Sequence, residues 1–93
     1  MAITFELPRA LQPFARGNRV VRLDGRYATV RDALEALAAQ SPGVVDRVLT
    51  EQGELRPHVN VFVEEESVRF IGGLAAPVSD GNTIVIVPAV SGG

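Results

Sequence analysis

The residues with the clearest chemical potential stand at the end of the chain, Pro88-Ala89-Val90-Ser91-Gly92-Gly93. From Ala89 onward every residue except Val90 is small, and the last two have no side chain. Fully extended, such a segment reaches about 20 Å. It reads as a thin tail that carries the carboxylate of Gly93 into a confined site. A frayed terminus is the plainer reading of the same residues.

No other stretch offers a catalytic apparatus. His58 is the lone histidine; it follows a proline and has no evident partner to orient it as a general base. Glu64-Glu65-Glu66 could hold a cation, but an acidic turn in water accounts for it more simply. Gly72-Gly73 lacks both the spacing and the lysine of a phosphate loop. The absence of cysteine removes disulfides, thiolate metal sites and sulfur nucleophiles. The chain itself is therefore expected to be no enzyme and to bind neither metal nor cofactor. All nine basic residues are arginines. Compositional bias toward arginine explains this; so does avoidance of a primary amine that an activated acyl group would modify.

Ninety-three residues, 46% hydrophobic and 22% charged, suit one globular domain. Net charge is −2 and the arginines are spread along the chain, which argues against a nucleic-acid surface. No apolar run approaches a membrane span, and the N-terminus lacks the pattern of a signal peptide. A cytoplasmic protein is expected.

The elements that must position the tail follow from periodicity. Thr83-Ile84-Val85-Ile86-Val87 is a run of β-branched residues, read as a strand in the middle of a sheet. Pro88, with no N–H to donate, ends its ladder. Ile3, Phe5 and Leu7 alternate with polar residues in a first strand; Arg19 to Leu23 forms a second, after a loop in which Leu11 and Phe14 can tuck under the domain. Thr29 to Gln40 is the clearest helix, capped by Thr29, with Val30, Ala33, Leu34, Leu37 and Ala38 on one stripe and Arg31 and Glu35 paired on the other face. Ser41-Pro42-Gly43 stops it, and a short helical turn follows over Val44 to Leu49. Val59 to Val63 is a third strand and Val68-Arg69-Phe70 a short fourth. Asp80-Gly81-Asn82 turns the chain into the last.

One amphipathic helix covers one face of a four- or five-stranded sheet. The order predicts an α+β fold of the β-grasp, ubiquitin-like kind, with residues 1–88 as the domain and 89–93 as the tail. On the face away from the helix, strand alternation places Phe62, Val85 and Val87 together beside the tail's root. An apolar patch there is a candidate partner surface, unless the Arg9–Asn18 loop covers it.

A β-grasp domain ending in Pro88-Ala89-Val90-Ser91-Gly92-Gly93 resembles the ubiquitin-like sulfur carriers of the MoaD/ThiS family. The Asp80-Gly81-Asn82 turn adds to this. His58-Val59-Asn60 through Val63, Val68-Arg69-Phe70 and Gly72-Gly73-Leu74-Ala75 make the resemblance strongest to the CysO-type carriers of cysteine biosynthesis. It implies that a ubiquitin-activating-type enzyme uses ATP to adenylate Gly93, and that sulfur transfer then gives a thiocarboxylate. Gly92, Ser91 and Val90 would thread that enzyme's site, with Phe62, Val85 and Val87 docking on it. It further implies a pyridoxal-phosphate cysteine synthase and a zinc peptidase as later partners, with molybdopterin, thiamine or a natural product as other sulfur recipients. Two alternatives remain: a protein modifier conjugated through Gly93, and a β-grasp interaction module whose diglycine is incidental.

Overall fold

The first and last strands meet at the centre of the sheet. In a computed structural model, which describes residues 1–88, β1 (Ala2–Glu6) lies parallel to β5 (Thr83–Pro88), with Phe5 opposite Ile84. The expectations on Val90, Ser91, Gly92 and Gly93 fall outside the described residues. β2 (Val20–Asp24) runs antiparallel along the far side of β1, and β3 (Val59–Val63) antiparallel along the far side of β5. The two-residue β4 (Glu66–Ser67) completes a mixed sheet in the order β2-β1-β5-β3-β4. A parallel pair cannot be joined by a hairpin, so the helical layer lies in the long connection between β1 and β5.

That layer is α1 (Val30–Gln40) followed by α2 (Pro42–Val48). The Thr29 hydroxyl accepts a hydrogen bond from the Asp32 amide at 3.2 Å, satisfying one of the donors a helix start leaves free. Val30, Ala33, Leu34 and Leu37 are wholly buried, as their spacing requires; Ala38 is half-buried. Ile3, Phe5, Val21, Leu23, Ile84 and Ile86 supply the core face of the sheet. This is the expected β-grasp arrangement, one sheet with its helices on a single face.

Four local readings need correction. Val68-Arg69-Phe70 is a 3-10 turn and β4 is Glu66–Ser67, because the Ser67 hydroxyl accepts from the Arg69 amide and turns the chain there. Val68 goes into the core while Phe70 stays 88% exposed, so the two do not share a strand face. Pro42 ends α1 but also begins α2, a place where a residue without an N–H loses nothing. Arg31 is not paired with Glu35; its guanidinium donates to the Gly53 carbonyl at 2.9 Å. The Arg9–Asn18 connection contains a 3-10 helix over Arg9–Ala15 that buries Leu11 and Ala15. Phe14 does not tuck under: it is 39% exposed, rests against Gly43, and lies 3.6 Å beneath the Arg47 guanidinium.

The Asp80-Gly81-Asn82 turn stitches β5 to β1. A carboxylate oxygen of Asp80 accepts from the Ala2 amide at 2.6 Å, the Gly81 amide donates to the Ala2 carbonyl at 2.8 Å, and the Thr4 amide donates to the Asn82 carbonyl at 3.1 Å. Gly81 sits at φ 86, a conformation a side chain disfavours.

Candidate functional site: the root of the tail and the outer sheet face

Pro88 is the last residue of β5 and pairs with Val59 of β3. It is also the last described residue, so its position is the nearest the structure comes to Gly93 in the chain. The β1 pairing stops earlier, at Glu6 opposite Val85, so among the described residues the end of β5 is held on the β3 side only. Among the described residues, β5 is therefore braced on both sides at its start and on one side at its end.

The outer face beside this point carries the three residues expected there. Phe62 is directly opposite Val85, and Val87 is opposite Asn60. All three are partly exposed, while their neighbours Val61, Ile84 and Ile86 are buried against the helices. The row continues across the sheet, from Ser67 through Phe62 and Val85 to Glu6. The Arg9–Ala15 segment does not cover the patch. It sits on the helix side, where Leu11 and Ala10 share a groove with Ile86 and Pro88. Between Glu6, Pro8, Arg19, Val85 and Val87 the surface opens into a shallow groove. Arg19 stands 3.9 Å from Glu6 at its rim, an exposed pair that contributes little to stability.

His58 is exposed and precedes β3, lining the groove on the helix side with Arg47 and Pro88. No base-and-orienter pair forms around it among the described residues. No group of three or more carboxylate or imidazole side chains able to hold a metal ion occurs among them either. Within the acidic run, Glu64 has a specific task that its exposure concealed. It occupies a left-handed conformation at φ 55, its amide donates to the Thr83 carbonyl, and its carboxylate accepts from the Thr83 amide. The β3–β4 turn is thereby tied to the start of β5.

Sequence reasoning also missed the brace beneath Phe70. The Arg69 guanidinium donates to the Asn60 side chain at 3.2 Å and to the carbonyls of Arg56, Pro57 and Val59, the last at 2.6 Å. One fork thus binds the turn after β4 to the loop entering β3. An isolated arginine between apolar residues carries no local signal of this, because its acceptors lie 9–13 residues away.

Comparison with known proteins places this architecture. The sequence profile of the ThiS family matches residues 6–93. The chain belongs to the ThiS family. This ThiS-family chain is 36% identical to the sulfur carrier protein CysO of Mycobacterium tuberculosis over 95 aligned positions, covering all of both proteins. Its structure is similar to CysO in the Amycolatopsis orientalis BexX/CysO complex, with a TM-score of 0.87 and 36% identity over 98% of this chain and 99% of that one. It is also similar to the small archaeal modifier protein 1 of Haloferax volcanii, at a TM-score of 0.82 and 35% identity over the whole of both chains. The expected fold and family are thus found. Among the described residues no helix is long and apolar enough to cross a membrane.

Proposed function

We propose that this protein is a sulfur carrier whose Gly93 carboxylate is adenylated and converted to a thiocarboxylate, supplying sulfur for cysteine or a related metabolite. The observation that carries this reading is the full-length likeness to a sulfur carrier protein, in a chain whose central strand is followed in sequence by Ala89-Val90-Ser91-Gly92-Gly93.

The chemistry requires outside help. An ionised carboxylate is a very poor acyl donor. Forming a mixed anhydride with AMP supplies a leaving group, with pyrophosphate released from ATP, and a sulfur nucleophile then displaces AMP. The adenylating partner binds the ATP, and this chain needs no cofactor of its own. Gly92 and Gly93 let the terminus approach the α-phosphate closely because neither carries a Cβ. Phe62, Val85 and Val87 dock on the adenylating and sulfur-transferring partner, so that binding energy collected on the rigid sheet positions the carboxylate. A pyridoxal-phosphate cysteine synthase and a zinc peptidase are the partners proposed downstream, in a cytoplasmic setting.

The test is intact mass. Incubated with ATP, an activating enzyme and a sulfur donor, the full chain gains the mass difference between sulfur and oxygen, and a chain lacking Gly93 does not. Equal sulfur uptake by both refutes the reading.

A second reading rests on 38% identity to the small archaeal modifier protein 1 of Haloferax volcanii over 78 residues. Under it, Gly93 becomes joined to lysine amines of target proteins. Isopeptide-linked adducts in place of a thiocarboxylate would select it.

A further inference from the structure

The far edge of the sheet, at β2, lies away from β5. Among the described residues β2 is paired only with β1. The Leu7 amide donates to Arg19 and the Gly25 amide to Met1, which sets the phase of the ladder: residues 19, 21, 23 and 25 turn their backbone groups toward β1. Val20, Arg22 and Asp24 therefore turn theirs outward. The Tyr27 hydroxyl occupies the Asp24 carbonyl at 2.9 Å. The amides of all three, and the carbonyls of Val20 and Arg22, meet no partner among the described residues.

Charge and shape along this edge are both asymmetric. Arg16, Arg19, Arg22 and Arg26 fall within eleven residues of a chain whose net charge is −2. Their acidic neighbours hold them loosely: Arg22 is 3.5 Å from Asp24 and Arg19 is 3.9 Å from Glu6, all four side chains being well exposed. On the helix side of the edge lies a groove of about 360 Å³ lined by Arg16, Val20, Val21, Arg22, Gln40 and Ser41. Val20, at its rim, is 43% exposed.

We propose that the free edge of β2, with the groove beside it, is a docking site for an extended acidic segment of a partner protein, which adds to the sheet as a sixth strand. Its backbone takes the outward groups of Val20 and Arg22, one row of its side chains carries carboxylates into the polar groove lined by Arg16 and Arg22, and the alternate, apolar row lies on the outer face beside Val20. Charge on an edge strand also guards against self-association. Here that guard is selective, because a second β2 brings arginine against arginine while an acidic strand brings the opposite charge. The chain's own acidic run is not a candidate occupant: Glu64 is bound to Thr83 and Glu66 is paired with Val63. The site is two strands removed from β5, so occupancy leaves the tail root open, and the proposal stands or falls independently of sulfur transfer.

The experiment uses the full chain and a short peptide that alternates valine with glutamate. Binding is followed by NMR shifts and amide exchange. The expected result is slowed exchange at Val20 and Arg22, affinity that falls as salt is raised, and a loss of about tenfold or more in Arg22→Glu. Arg16→Gln, which keeps a polar side chain outside the strand, should weaken binding in the same direction, and unchanged amide dispersion confirms that both variants are folded. Equal binding of a valine–lysine peptide, shifts centred elsewhere, or no exchange protection at saturating peptide overturns the proposal.

Discussion

Phe62→Asp tests docking and folding separately. Phe62 occupies the middle of β3, opposite Val85, and is half-buried on the outer face. Losing that cross-strand pair costs the fold about 0.2–1 kcal/mol. The poor strand preference of aspartate adds up to about 1 kcal/mol. The sum, roughly 0.2–2 kcal/mol, lowers Tm by roughly 1–15 °C for a domain of this size. The core face is untouched, since Val61 and Val63 point the other way. Against a partner enzyme the effect is larger. An aromatic anchor at the centre of an interface is worth about 2 kcal/mol or more, and burying an aspartate in its place adds a desolvation cost. Affinity for the activating enzyme should fall by about thirtyfold. The assay is the rate of thiocarboxylate formation against carrier concentration at 25 °C, paired with a thermal melt. An unchanged concentration dependence in a folded variant would refute the assignment of this face as the docking surface.

Other changes test other links in the argument. Leu34→Ala removes a wholly buried side chain and should cost about 2–5 kcal/mol in urea unfolding; a loss below about 1 kcal/mol would mean that α1 does not pack as described. Arg69→Lys keeps the charge but cannot reproduce a fork serving four acceptors, so it should destabilise by about 1–2 kcal/mol and speed amide exchange near Ile71. Asp80→Ala removes the acceptor of the Ala2 amide and should cost about 0.5–1.5 kcal/mol, read as a lower urea midpoint at unchanged slope. Deleting Gly93 should leave Tm unchanged and abolish sulfur gain, because shortening the tail by about 3.5 Å withdraws the carboxylate from the reacting phosphate.

What the amino-acid sequence determined alone is what repeats over a few residues. The alternation in Ile3-Thr4-Phe5 and Ile84-Val85-Ile86-Val87 set the buried face of β1 and β5 before any partner strand was known. The Val30-Ala33-Leu34-Leu37 stripe did the same for α1, and Thr29 marked its start. The outer placement of Phe62, Val85 and Val87 followed from the same alternation. Tertiary structure decided whatever depends on partners far away in the chain. Thr4 and Thr83 become neighbours only when the sheet closes. The bond from the Thr83 amide turns Glu64 from a solvated residue into a tie, and the carbonyls before β3 turn Arg69 into a brace. Val68-Arg69-Phe70 has the alternation of a strand but folds as a turn, since alternation records which side chains want burial and not whether a strand lies alongside to pair with. The open edge of β2 was hidden for the same reason. A strand's sequence specifies its two faces, while the backbone groups on its edges carry no side-chain signal, and only the finished sheet shows which of them remain without a partner.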